Sequence, residues 1–308
     1  MYGIENQTGF KITGSQLQKV ELLVQNNFAV IDQIDEAYFS ETLDFTVNKE
    51  TKISALLQGA FNELQVRNPI QSNVVSFSLP YNLFLSALLP YDNSLLSQDI
   101  LFELKWELSI LFPTHQIDDY VIQYFEISRN EYLKSNLLFV AAIPRKFLHI
   151  LHNFCSRNKL KLKFVDYSHL ASDRALALNY ADFSSGLTLS IYYGNRVLSL
   201  IFYLDGKPFY FKIKKDVDAS EIVKNILTEI EPSATLNFHP LVFKSVFISG
   251  DDVTEASCRS ISQKINLNLV YFNPFKKLQT SPLLSENNLY KEKFNSFSPA
   301  VGIALRLA

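Results

Sequence analysis

The chain has 308 residues, enough for two domains that share an interface. With 47% hydrophobic residues, 19% charged residues and a net charge of −2, it is a globular chain without the concentrated basic patch of a nucleic-acid binder. No apolar run reaches the roughly 18–20 residues of a bilayer span. The start lacks the charged-then-apolar pattern of a secretory signal, and Cys155 and Cys258 have no disulfide or zinc spacing, so a cytoplasmic protein is expected.

In chain order, strands are predicted at Tyr2 to Gln7, Lys19 to Gln25 and Phe28 to Ile34, three in succession as in a meander. A helix follows near Thr51 to Val66, with Ile53, Leu56, Leu57, Ala60, Phe61 and Leu64 on one face and Pro69 ending it. The strand Val74 to Leu79 comes next. From Pro80 to about Ser128 the texture changes. Leu101, Leu104, Leu108 and Leu111 mark a helix with a buried stripe, and the strand Tyr120 to Ile127 closes the region, which reads as an inserted subdomain. An apolar strand, Leu137 to Ile143, then a helix to about Arg157, the strand Leu160 to Val165 and a helix from Ser168 to about Tyr180 predict a parallel sheet with helices packed on it.

The pattern then restarts. Strands at Leu187 to Tyr192, Val197 to Tyr203 and Pro208 to Ile213 precede a helix at Ala219 to Glu231. The strand Ser245 to Ser249, the helix Thr254 to Lys264 and a short strand at Asn268 to Tyr271 follow, and Ser298 to Leu307 closes the chain as a helix. The duplication predicts two α/β domains facing each other across a cleft, residues 1–182 with an insert at about 80–128, and residues 183–308 with the closing helix returning to the cleft.

Few side chains form a chemical constellation. His149 and His152 lie at i, i+3 on a helix whose apolar face is Phe147, Leu148, Leu151, Phe154 and Cys155, so they are expected in solvent, and no further ligand lies nearby. Glu63, Asp92 and Asp99 show no paired-carboxylate logic, and Ser249-Gly250 lacks a nucleophile elbow. Only nine glycines are present, about half the usual ~7%, and neither GxxxxGK[ST] nor GxGxxG occurs. Loops that cradle phosphate need glycine, because backbone amides must approach the ligand closely.

The duplicated pattern is similar to that of actin, the sugar kinases and the cell-division protein FtsA. Short motifs resemble one branch, the type IV pilus PilM family, in order along nearly the whole chain. They are YGIENQTGFKI (Tyr2 to Ile12), Trp106-Glu107, FVDYSHLASDRAL (Phe164 to Leu176), SIYYGNRVLSLIFYLDGK (Ser190 to Lys207), VFISGDD (Val246 to Asp252), VYFNPFKKL (Val270 to Leu278) and SPAVGIALRLA (Ser298 to Ala308). Gly3, Gly194, Gly250 and Gly302 fall at motif positions.

The resemblance implies an actin-like, ribonuclease H-like duplicated fold and locates an ATP site to be checked. Its first phosphate loop falls on Glu5, Gln7, Thr8, Gly9 and Lys11. Glu5 replaces an aspartate that works through magnesium, and Gln7 replaces a glycine. The second phosphate hairpin falls at Gly194, with Tyr192 or Tyr193 where the family has an acid. The adenosine-side loop has Gly250 followed by Asp251 and Asp252, two carboxylates that repel phosphate. Asp166 stands where related folds position a water, or is a helix N-cap. A degenerate nucleotide site is therefore expected, with no catalytic residue, no metal ligand and no cofactor, magnesium–ATP being the one candidate if the altered site still binds. By the same resemblance the expected partner is a short N-terminal cytoplasmic peptide of an inner-membrane pilus-type protein. It would lie in a groove beside the insert, with Tyr81, Phe84, Leu85 and Leu88 as wall residues. The competing readings are a working ATPase or kinase and an actin-like protein unrelated to pili.

Overall fold

The computed structural model describes residues 5–25, 28–91, 94–230 and 242–306. Of the strand expected from Tyr2 to Gln7, residues 2–4 lie outside them and Glu5 and Asn6 are not in a strand; the first described strand is β1, Gln7–Ile12. It forms an antiparallel meander with β2 (Gln16–Gln25) and β3 (Phe28–Tyr38). The helix α1 (Glu50–Arg67) buries the six apolar side chains expected from its spacing and sets Phe61 edge-on to Phe10 of β1. It stops where the Asn68 amide donates to the Leu64 carbonyl, one residue before Pro69. β4 (Val74–Leu79) then runs parallel to β1.

The next segment builds a separate small sheet. β5 (Leu85–Pro90), α2 (Ser97–Leu111), β6 (Tyr120–Ile127) and β7 (Leu137–Pro144) follow in sequence, and the strands lie antiparallel in the order β5-β7-β6. β7, expected in a parallel sheet, is the middle strand here, so this unit reaches past residue 128. Its apolar run suits a strand that is hydrogen-bonded on both edges. One face of α2 packs on the sheet through Ile100, Leu104 and Leu108. Leu101 and Leu111, expected in the buried stripe, are instead 40% and 48% exposed, because the row one turn-step away faces the strands.

α3 (Arg145–Arg157), β8 (Lys161–Tyr167) and α4 (Ser168–Asn179) return the chain to the first sheet, where β8 pairs with β4 and forms the edge. The second half repeats the plan. β9 (Leu187–Gly194), β10 (Val197–Leu204) and β11 (Lys207–Lys214) form a meander. α5 (Ile222–Ile230), β12 (Ser245–Ser249), α6 (Glu255–Ile265) and β13 (Leu269–Tyr271) follow. The order β11-β10-β9-β12-β13 matches β3-β2-β1-β4-β8 strand for strand. The small sheet leans on this second sheet, with Phe139 stacked on Phe211 at 4.0 Å between ring centres.

The last stretch crosses back. β14 (Gln279–Thr280) pairs in parallel with β3, and after α7 (Asn288–Glu292) the helix α8 (Ser298–Ala304) is buried on every side. It lies so close to β1 and α4 that added Cβ atoms would stand 2.2 Å from the Ala300 carbonyl at Gly9 and 1.7 Å from the Ala171 carbonyl at Gly302. Small side chains are what this packing requires.

Candidate functional site

Three turns meet where the two large sheets face each other. The first joins β1 to β2 and consists of Thr13, Gly14 and Ser15, closed by the Thr13 amide donating to the Gln16 carbonyl at 3.0 Å. The second joins β9 to β10 through Asn195 and Arg196, both with positive φ (50° and 60°), the geometry of a tight hairpin that continues the strand twist. The third, Gly250 to Asp252, follows β12. Between them lies a cavity of about 30 Å³, lined by Gly14, His169, Tyr192, Ser199 and Asp251. That volume holds about two or three water molecules.

The turns occupy the space themselves. Gly250 has φ +137°, and a Cβ there would stand 1.9 Å from the Tyr193 carbonyl, so only glycine brings this loop against the β9–β10 hairpin. Asp252 accepts from the Asn195 amide at 2.7 Å. The Gly250 amide donates at 3.0 Å to Asn295, whose own amide group donates to the Ile248 and Phe272 carbonyls. Asp251 is ion-paired with Lys11 of β1 and accepts from the Tyr192 hydroxyl at 3.3 Å. The Lys11 side chain is 1% exposed, and its ammonium also donates to the Ser296 carbonyl at 2.8 Å. One salt bridge thus joins the first sheet to the second across the cavity wall.

Beneath it, α4 is tied to the second sheet by a buried polar chain. His169 has Ser199 at 2.7 Å from Nδ1 and Ser190 at 3.0 Å from Nε2. Ser190 and Tyr203 donate to the two oxygens of Asp173 at 2.5 and 2.6 Å. Burial lowers His169 to about 3. Burial also raises Asp173 to about 7, opposed by the hydrogen bonds from Ser190 and Tyr203. Ser199, His169 and Asp173 are arranged like a nucleophilic triad, but a histidine so hard to protonate is a poor base, and the cavity leaves no room for a substrate. The chain serves as a hydrogen-bonded joint.

The residues singled out in the sequence divide into two groups. Lys11, Gly194, Gly250 and Asp251 come together here. Glu5, Gln7, Thr8 and Gly9 do not form a loop. The turn falls after Ile12, because β1 pairs in register from Gln7 with Leu22 to Ile12 with Leu17. Glu5 is ion-paired with Lys163, Gln7 donates to the Ser76 hydroxyl and the Ile303 carbonyl, and Thr8 and Gly9 are strand residues. Ile12 is therefore the β1 residue that lines the cavity, and Lys11 reaches its wall only through the pair with Asp251. Asp166 is ion-paired with Arg306 on the far side of β8, and the N-cap of α4 is Tyr167, without a side-chain cap. Tyr192 faces the cavity, whereas Tyr193 donates to the Val217 carbonyl. The sequence reading missed His169, Ser190 and Ser199. The available signal was a histidine and serines at inward positions of apolar elements. Among the described residues no group of three or more His, Cys, Asp or Glu could hold a metal ion. The cavity volume and the Lys11–Asp251 pair do not fit a magnesium–nucleotide.

A larger feature lies on the other face. A groove of about 590 Å³ runs along the free edge of β8, with β6 and β7 of the small sheet and α3 as its other walls. Phe84, Phe125, Ile143, Leu148 and Phe164 give it an apolar lining, and Arg145, His149 and His152 stand on the α3 side. Phe84 is the one proposed wall residue that lines this groove. Tyr81 and Leu88 line a second groove against β11, and Leu85 lies in the core of the small sheet. His149 and His152 are exposed, as expected from the helix face.

No family model matches the sequence, and no curated protein does. Solved structures do. A PilM-PilN type IV pilus biogenesis complex matches over 97% of this chain and 98% of that one, at TM-score 0.75 and 15% identity. A protein from Bacteroides thetaiotaomicron, with actin-like ATPase fold and unknown function, matches over 87% and 91%, at TM-score 0.50 and 10% identity. The chain has an actin-like fold. At these identities the likeness is one of architecture, and the repeated strand order of the two large sheets is its physical content. No described helix is long and apolar enough to cross a membrane.

Proposed function

We propose that this protein is a PilM-like adaptor on the cytoplasmic side of a type IV pilus or related secretion machine. It captures a short extended peptide from an inner-membrane partner and uses its former nucleotide cleft as a structural joint. The observation that carries the reading is a contrast of volumes. The inter-sheet cavity measures about 30 Å³, whereas the groove along β8 measures about 590 Å³. Among the described residues β8 pairs only with β4, so its other edge offers amides and carbonyls to an added strand, while the apolar lining offers pockets for alternate side chains. The structural likeness to a complex named for PilM and PilN supports a partner of the pilus type.

Two titrations test this. Calorimetry with magnesium–ATP is expected to give no heat of binding, because Asp251 and Lys11 neutralise each other where phosphate and metal would sit. Low-micromolar binding would overturn the closed-cleft reading. An array of cytoplasmic N-terminal segments from pilus-type inner-membrane proteins is expected to yield a bound peptide. Phe125→Asp should abolish that binding, since the carboxylate would be buried against the peptide. Binding unaffected by this change would reject the groove.

A further inference from the structure

A different surface carries an inference independent of the groove. α2 packs one face on the small sheet through Ile100, Leu104 and Leu108. On the opposite face Phe102, Trp106 and Ile110 stand at i, i+4 and i+8 and are 77%, 57% and 55% exposed. Leu96, Leu101 and Leu111 at its ends are 73%, 40% and 48% exposed. Thirteen large apolar residues are exposed among the described ones, and these six lie within sixteen consecutive positions of one helix and its N-cap. Scattered exposed apolar residues need no explanation, but a stripe of this size marks a binding surface. A phenylalanine and a tryptophan at its centre are the side chains that most often anchor one.

The charges beside the stripe select its occupant. Asp99, Glu103 and Glu107 also stand at i, i+4 and i+8, forming an acidic row along the aromatic one. None of the three is ion-paired among the described residues. Lys105, on the other flank, is held by Asp118. An anionic bilayer surface is attracted by basic residues and repelled by such a row. A second copy packed antiparallel would bring acidic row against acidic row, and packed parallel it would offer only the already paired Lys105. A helix with apolar residues at i, i+4 and basic residues along one flank satisfies both rows at once.

We propose that α2 is a docking face for a basic amphipathic helix of a partner protein, separate from the groove along β8. The chain contains a single tryptophan, Trp106, at the centre of the stripe, so its emission reports occupancy directly. The probe is a designed helical peptide with leucines at i, i+4 and i+8 and lysines on one flank, with a glutamate-flanked twin as control. Added to the full-length protein, the lysine peptide is expected to shift Trp106 emission to the blue. It should bind at least tenfold tighter than the twin and lose affinity with added salt. Phe102→Ser should weaken binding about tenfold with the circular dichroism of the protein unchanged. The double variant Glu103→Lys with Glu107→Lys should reverse the preference between peptides. Equal binding of both peptides would overturn the proposal. So would a larger blue shift with phosphatidylglycerol vesicles, or concentration-dependent dimerisation abolished by Phe102→Ser.

Discussion

Removing either member of the Lys11–Asp251 pair tests whether the cleft is held shut by charge. The two partners are unequally buried. The lysine side chain is 1% exposed and the aspartate 21%. Asp251→Ala leaves an ammonium fully enclosed with one carbonyl acceptor, that of Ser296. Stranding a buried charge in this way costs about 3–5 kcal/mol. Lys11→Met leaves a carboxylate that is partly wet and still receives the Tyr192 hydroxyl, so the expected loss is smaller, about 2 kcal/mol. Combining the two changes removes both charges together. The double variant should lose less than the sum of the single losses, with a coupling of about 1–3 kcal/mol in that direction. Urea unfolding measures this, the midpoint shifting while the slope stays constant. If Asp251→Ala costs under about 1 kcal/mol, or if the single effects add, the pair is not the latch between the sheets.

Three other outcomes follow from the interior. His169 stays neutral in the folded state to about pH 3, and Asp173 stays protonated to about pH 7. Below its unfolded value of about 6.5 the histidine alone makes stability fall as pH falls, while above about 3.9 the aspartate alone makes stability fall as pH rises. The two slopes cancel between about pH 4 and 6.5. In His169→Asn only the aspartate of the pair remains, so relative to the parent protein stability should drop by about 1.4 kcal/mol per unit as pH rises through that window, which denaturation of both proteins at pH 4.5, 5.5 and 6.5 reads. Gly302→Ala places a methyl group 1.7 Å from the Ala171 carbonyl, and a loss of about 3 kcal/mol or more is expected in thermal melts; a neutral result would mean that α8 is not packed here as described. Burial pushes Cys155 up to about 12 and Cys258 to about 11, so neither thiol should react with a disulfide reagent at pH 8 until denaturant is added.

The periodicity of this sequence carried most of its secondary structure, because strands such as Val74–Leu79, Tyr120–Ile127 and Ser245–Ser249 are bounded by turn residues and filled by apolar ones. Partners across the molecule were less legible. Asn6 to Gly9 has the composition of a loop, yet Gly9 is a strand residue whose missing side chain makes room for α8, nearly three hundred positions later. The true turn, Thr13 to Ser15, falls in the stretch between the first two predicted strands, where Thr-Gly-Ser has the composition of a turn. In α2 apolar residues occupy both faces, so spacing could not tell the buried row Ile100, Leu104, Leu108 from its neighbours. An apolar run like β7 fits the middle of any sheet, and only the pairing with β5 and β6 decides which. Lys11 and Asp251 are 240 residues apart, and nothing local in either segment announces the other.

The return of the chain end to the first sheet has a consequence for biosynthesis. β1 needs α8 as its cover, and β3 needs β14 as its edge partner. Both covers lie beyond residue 278, so a nascent chain that has made β1 to β4 and β8 still exposes one apolar flank of their sheet until α8 has been synthesised. Such long-range closure is slow and leaves a sticky surface in the meantime. A ribosome stalled after residue 270 would therefore hold a chain that binds holdase chaperones, and loss of even the final helix would send the protein to proteolysis rather than leave a working N-terminal half.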